Sequence, residues 1–450
     1  VHPSFLPDAA GDSRQHSRFK RRRGGADIDR VTARPRDPLP VLRGTPRGET
    51  ALWILLAVAV SLAMIWGWSW NIVLNDYGTE AAASFTALLH GHVDAFLQTA
   101  PSYGATFLLR APFALPGSLT GASALLIYRL SALPCMLAIA ALGVWLTTDL
   151  RRHGGGIVAA AAALALCAAN PITYKVLEIG HPEELLGGAL CVAAVLLALR
   201  GRANWAALAL GLAIANKQWA LLAIGPVLVA LPAQRWRTLI GAGAVAVAFV
   251  APIMLSTVTV KAATSRLIVS DTGTIFHPWQ VFWFFGPRGH WLATMGNYIP
   301  RGFRLPPSWL GGRAHLLIVW LGVPLTLLAL RRRTRPADAL LLLALLMLLR
   351  CWLDPWDNVY YPLPFIVALL AWETTVARRL PVAALAATAA TWLIFDYLPL
   401  HLAVDAQAVS FLVPATLTLA ALTAVVYRLR PIRRAARTAP LLSRAPAVPS

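Results

Sequence analysis

A succession of apolar blocks, each roughly 16 to 25 residues long, constrains this chain more than anything else, because that is the length at which a helix crosses a bilayer. The blocks lack the alternation of apolar and charged faces that a water-soluble bundle needs. Inside lipid a backbone satisfies its own polar groups only as helix or closed barrel. With 58% hydrophobic and 13% charged residues, the expectation is an all-α, polytopic membrane protein.

A net charge of +20 would suggest nucleic acid in a soluble protein. Here its distribution points to the bilayer instead. Of the 40 Lys and Arg, 29 fall in the two tails and in short connections such as Arg151 and Arg152, Arg200 and Arg202, and Arg331 to Arg335. The positive-inside rule makes those segments cytoplasmic, so both termini are expected inside and no nucleic-acid partner is expected. The Ala, Arg, Leu and Pro bias, with Val in the first position, points to a high-GC bacterium and its inner membrane.

Residues 1–50 carry many Arg, Pro, Gly and Asp without apolar periodicity, and read as a disordered basic cytoplasmic tail. Residues 431–450 read as a second tail, with a transmembrane domain over 51–430 between them. The first span is expected at 51–74, followed by an outer loop at 75–121 whose pieces 79–97 and 102–115 read as helices lying in the interface. Further spans are expected at 122–148, 157–177, 185–199, 205–217, 218–232, 238–258, 313–330, 337–350, 361–377, 381–397 and 409–428, about twelve in all. The pair meeting at "ANKQWA" is short and reads as half-length or broken helices. A long outer loop covers 259–312. Among the 20 acidic residues, 11 then lie at or near the outer face, where the chemistry is expected.

The stretch "WSWNIVLNDYGTEAAAS" places Asp76 and Glu80 just beyond the first span. Asp76 reads either as a helix cap, with Asn75 or Asp76 accepting from the amides of residues 78 and 79, or as a general base whose carboxylate sits at the hydrocarbon edge. Glu80 lies one helical turn further on, and would share a face with Asp76 if 77–97 is helical.

The pattern "D-Y-G-T-E-A … G-H … P-S-Y-G … A-P-F", with "GLAIANKQWALLAIGPVLVAL", resembles the GT-C glycosyltransferases, and within them the bacterial mannosyltransferase-like branch, glycosyltransferase family 87 and its relatives. The resemblance covers roughly residues 50–430. It implies a polyprenyl-phosphate sugar donor, a glycan or glycolipid acceptor, and an inverting displacement in which a loop carboxylate, here Asp76, deprotonates the acceptor hydroxyl.

A leaving phosphate needs cations, and the candidates are Lys175, Lys217, Arg266, Arg350 and, more weakly, Arg110. Lys175 equally suits snorkelling toward headgroups. Lys217 sits between two apolar stretches, where an unpaired ammonium is costly, so it should line a polar cavity and have a partner. Glu178 and His181 follow Lys175 in "NPITYKVLEIGHPEE". "RCWLDPWDNVYYP" adds Asp354, Asp357 and aromatic rings suited to sugar contact, or to an ordinary interfacial belt. His277, in "HPWQVFWFFG", and Tyr103 complete the substrate-contact candidates, with Glu80 among them. In "HGHVD", His90 and His92 do not converge on one helix face, so His92 reads as a donor-phosphate contact rather than a metal ligand. With no Gly-rich nucleotide loop, no cofactor is expected; the metal requirement stays open. The rival reading is a transporter or flippase of a lipid-linked sugar, which needs midplane charges such as Lys217 but no carboxylate beside a large outer loop; a catalytically silent scaffold is the third.

Overall fold

The computed structural model describes residues 47–73, 75–101, 103–256, 276–288, 302–310, 313–332 and 334–428. Arg266, Asp271, most of the expected 259–312 loop and nearly all of the two expected tails lie outside the described residues. Every regular element described is helical.

The chain enters α1 (Arg47–Trp66) and then reaches a π-turn at Tyr77–Ala81. Next come α2 (Ala82–Leu89), α3 (Val93–Thr99), α4 (Ala105–Leu119), α5 (Ala124–Arg152), α6 (Ile157–Ala168), α7 (Pro171–Ile179), α8 (Glu183–Leu199) and α9 (Ala203–Asn216). A 3₁₀ turn at Gln218–Ala223 leads into α10 (Ile224–Ala230) and α11 (Arg235–Met254). The later part holds α12 (Ala314–Arg331), α13 (Ala339–Leu353), α14 (Leu363–Thr375), α15 (Val382–Trp392), a second π-turn at Leu393–Tyr397, and α16 (Val404–Tyr427).

Among the described residues, eight helical stretches are long and apolar enough to cross a membrane. Three shorter apolar ones, Ala203–Asn216, Gln218–Ala230 and Leu363–Thr375, are not. The expected count of twelve spans is therefore not established by helix length. The stretch Pro336–Leu353 is the most enclosed, with 78% of its apolar window buried against 22% for α1, α11, α12 and α16. The latter present Leu55, Trp236, Trp320 and Leu417 outward, a surface that only lipid or another apolar partner can cover at low cost.

Helix α1 stops at Trp66, eight residues before the expected end of the span. Gly67 explains it: its amide closes the helix on the Ala63 carbonyl at 2.7 Å, and a Cβ there would stand 2.5 Å from the same oxygen. The chain then runs inward, burying Trp70 edge-on against Tyr128, with ring centroids 5.8 Å apart. The expected loop 75–121 contains α2, α3 and α4. Helix α4 is more than a surface element, because it packs on α5 and α9 and buries Phe107 and Arg110.

Two breaks shape the interior. At Asn170-Pro171 the Asn side chain caps α7, accepting from the Ile172 amide at 2.8 Å, while Pro takes the first-turn position where its missing N–H costs nothing. At Asn216 α9 ends and Lys217 adopts an extended conformation, so the following turn starts afresh. The broken-helix expectation for 205–232 thus corresponds to an actual interruption of the hydrogen-bond ladder.

Candidate active site

The two breaks and the loop after α1 converge on the first turn of α8. Helix α7 ends in Gly180, whose φ of +104° is the left-handed conformation that glycine adopts without a Cβ penalty. A Cβ at Gly180 would also meet the Tyr77 amide nitrogen at 2.5 Å. Its absence lets residues 75–77 lie directly on the end of α7. Asn75 secures this contact, donating from Nδ2 to the Glu178 carbonyl at 3.2 Å and accepting from the Gly78 amide at 3.0 Å. The capping role weighed for either residue thus belongs to Asn75. Asp76 makes no side-chain cap.

Asp76 Oδ2 instead lies 3.0 Å from His181 Nε2, and His181 Nδ1 lies 2.7 Å from Glu183 Oε1. Both imidazole nitrogens face carboxylates, so the ring donates to both only when protonated. Burial and the neighbouring Lys217 oppose that charge, but Glu183 and Asp76 outweigh them and hold the His181 pKa up at about 9. Glu183 passes the chain of contacts on to Arg110 Nη1 at 3.2 Å, a pair in which both side chains are 1% exposed. Arg110 also donates to the Ser131 carbonyl and hydroxyl. Asp76 alone in this row is accessible, at 40%, and its Oδ1 has no hydrogen bond to a described residue.

Lys217 closes the other side. Its ammonium lies 3.3 Å from Glu183 Oε1 and 2.7 Å from Glu184 Oε1. Gly187 permits this approach: a Cβ there would meet Trp219 and Asn216 at 2.9 and 3.0 Å. Asn216 pins the break by donating to the Glu183 carbonyl at 2.8 Å and accepting from Thr106 at 2.7 Å. Glu184 also accepts from Trp219 Nε1 and pairs with Arg350 at 3.6 Å. Buried polar atoms are nearly always hydrogen-bonded, yet Arg350 Nη1 and Glu184 Oε2 find no partner among the described residues.

Aromatic rings roof the cluster. Tyr360 lies 4.9 Å from the His181 ring, Tyr103 lies 5.0 Å from the Lys217 ammonium, and Tyr361 lies 4.2 Å from the Arg350 guanidinium. Tyr103 donates to Glu80 at 2.8 Å. Because residues 77–81 form a π-turn rather than an α-helical one, the one-turn spacing expected between Asp76 and Glu80 does not apply, and Glu80 meets the site through Tyr103. Wider helical turns of this kind recur at functional sites.

The structure thus brings Asp76, Glu80, Tyr103, His181, Lys217 and Arg350 together. His277, Asp354 and Asp357 form an adjoining group: His277 donates to the Asp357 carbonyl at 2.8 Å, and Asp354 pairs with His315 at 3.4 Å. Both Asp357 oxygens are buried with no hydrogen bond of ordinary geometry among the described residues, and burial, then the Asp354 charge, push its pKa well above the usual carboxylate range although the Asn358 amide and the Cys351 thiol lower it in part. Lys175 and Glu178 belong elsewhere, since Lys175 bridges Glu178 at 2.9 Å and Asp396 at 2.8 Å. His92 is exposed where α3 begins, outside the cluster. Glu183, Glu184, Tyr360 and Arg110 complete the site. The sequence signal for the first two was the unusual Glu-Glu pair opening an apolar helix, where each ion needs a cation. No group of three or more metal-ligating residues occurs among the described residues.

Comparison with protein families gives the class, a membrane glycosyltransferase. Residues 51–234 match the family model described as Alpha-(1->6)-mannopyranosyltransferase, N-terminal domain, consistent with a GT-C mannosyltransferase-like protein. No curated protein matches the chain. The matched segment holds Asp76, Arg110, His181, Glu183, Glu184 and Lys217. Arg350, Asp357 and Tyr360 lie beyond it.

Proposed function

We propose that this protein transfers a sugar, mannose by the family match, from a polyprenyl-phosphate carrier to a glycan or glycolipid acceptor at the outer face of a bacterial inner membrane, with inversion and with Asp76 as general base. The observation carrying this reading is the accessible Asp76 carboxylate held at 3.0 Å by His181, at the open end of an otherwise buried ionic row.

Asp76 Oδ1 takes the proton of the acceptor hydroxyl as that oxygen forms a bond to the anomeric carbon. The bond from that carbon to the phosphate oxygen breaks, and its electron pair leaves with the polyprenyl phosphate. The transition state has oxocarbenium character, so the hydroxyl becomes acidic only as its bond to carbon forms, and a carboxylate suffices as base. Lys217 and Arg350 supply positive charge for the leaving phosphate, Arg350 with an N–H to spare. His181 orients Asp76 and carries charge between it and Glu183. The tyrosines offer ring faces to the sugar.

Purified protein in nanodiscs, given radiolabelled polyprenyl-phosphate mannose and a membrane extract, tests this. Label entering a new product with wild type and not with Asp76→Asn supports the base. Movement of the lipid across proteoliposome membranes without any product favours the flippase instead.

A further inference from the structure

One carboxylate outside the ionic cluster gathers two limbs of the outer loop. Asp405, in the first turn of α16, accepts from Trp283 Nε1 at 2.8 Å, from Arg304 Nε and Nη2 at 3.0 Å each, and from Arg288 Nη2 at 3.3 Å. Trp283 and Arg288 belong to the limb 276–288, and Arg304 to the limb 302–310. The limbs also join each other, with Arg304 Nη1 donating to the Gly286 carbonyl at 3.1 Å and the Leu305 amide to the Pro287 carbonyl at 3.0 Å. An exposed ion pair usually contributes little. Here, however, Arg304 grips with two prongs at 13% exposure, and the Trp283 ring is fully buried, where its N–H needs a partner. None of the four donors comes from α16 itself, so the carboxylate serves the loop rather than the helix end.

From Trp283 the first limb runs back toward the active site as a braced turn. The buried Gln280 side chain donates to the His277 carbonyl at 3.0 Å and accepts from the Phe282 amide at 2.6 Å. This turn rests on the end of α13 and the segment after it. The His277 amide donates to the Pro355 carbonyl and the Val281 amide to the Trp352 carbonyl, both at 2.9 Å, and the His277 ring donates to the Asp357 carbonyl. The same segment carries Tyr360 and Tyr361, whose rings lie against His181 and Arg350. Asp405 is therefore linked to the roof of the site through backbone hydrogen bonds, although its own donors all lie in the outer loop.

We infer that Asp405 is a positioning residue that keeps the tyrosine roof seated, so that an acceptor hydroxyl rather than water attacks the donor. This rests on the glycosyltransferase reading. A site that excludes water suppresses hydrolysis of its reactive substrate. With the roof loosened, a water oxygen forms the bond to the anomeric carbon and Asp76 takes one of its protons. The bond from that carbon to the phosphate oxygen breaks, its electron pair leaves with the polyprenyl phosphate, and free sugar is released.

Asp405→Asn keeps an oxygen for Trp283 and removes the charge that holds Arg304, while Arg304→Met removes the fork from the other side. Each full-length variant is placed in nanodiscs with radiolabelled polyprenyl-phosphate mannose and a membrane extract, transferred and free mannose are measured, and hydrogen exchange is followed over residues 352–361. The ratio of free to transferred mannose is expected to rise about tenfold in either variant, the equivalent of one charge-assisted hydrogen bond. The double variant should add no further rise, exchange at 352–361 should quicken in all three, and Asp405→Glu, which keeps the charge, should recover much of the wild-type ratio. Misfolded protein carries out neither reaction, so a loss of folding lowers both products and leaves their ratio unmoved. An unchanged ratio, or unchanged exchange at 352–361, overturns the inference. Faster exchange in the variants with neither product from wild type keeps Asp405 as the anchor of the roof while removing the glycosyltransferase reading.

Discussion

Asp76 Oδ2 and His181 Nε2 stand 3.0 Å apart although 105 positions separate them in the chain. The contact depends on Gly180, on Asn75 and on the break at the end of α7. The carboxylate stays accessible because the capping work beside it is done by Asn75.

Replacing Asp76 by Asn keeps the shape and removes the base. Transfer is expected to fall roughly 10²- to 10⁴-fold in kcat, the usual worth of a positioned general base, with donor KM nearly unchanged. Steady-state kinetics on both substrates, with thermal unfolding in detergent as a folding control, check it; a kcat within a few-fold of wild type removes Asp76 from the chemistry.

Gly180→Ala tests the scaffold rather than the chemistry. The new Cβ meets the Tyr77 backbone at 2.5 Å in a left-handed conformation that costs a non-glycine residue on the order of 1–2 kcal/mol. Displacing Asp76 by about 1 Å is expected to lower kcat on the order of 10²-fold. A crosslink between cysteines placed at 76 and 181 should form less readily in this background.

Glu183 is the counterion to Arg110, His181 and Lys217 at once. Glu183→Gln leaves buried positive charge uncompensated and is expected to destabilise by about 3–5 kcal/mol. Combining it with Arg110→Met should recover part of that loss. A double-mutant cycle of denaturation midpoints gives the coupling, and additive losses would show that the two do not share one network.

His181 couples stability to pH. Its folded pKa, about 9, is above the ordinary value of 6.5. The associated stability is therefore fully present below about pH 6.5 and is lost as pH rises through about 9. The difference corresponds to roughly 3 kcal/mol. Unfolding midpoints of wild type should drop across that window, whereas His181→Asn should show a flatter profile; parallel profiles would mean the imidazole is not charged in the folded protein.

The helical, membrane-embedded character of the chain was legible because span length and hydropathy are local properties of a continuous segment. So was the break near Lys217, since a cation amid apolar residues demands a partner. The partner itself was not legible. Glu183 and Glu184 sit 34 and 33 residues before Lys217, and nothing in the spacing says that α8 begins where α9 ends. Lys175 shows the converse: beside Glu178 in sequence, with the same composition as a phosphate site, it is turned by the fold toward Asp396. The count of twelve spans is not settled by helix length, because three of the apolar helices among the described residues are shorter than a bilayer crossing and a hydropathy profile reads such helices as spans.

What the sequence determined by itself was the class of solvent around the chain and the interruption before Lys217, since both follow from burial cost and backbone hydrogen bonding within a few turns. Tertiary structure alone decided which ions meet. Charges in an apolar bundle find partners through helix packing, and here Gly180 leaves room for the Tyr77 backbone and Gly187 for the Trp219 and Asn216 side chains, where Asp76 reaches His181 and Lys217 reaches Glu183.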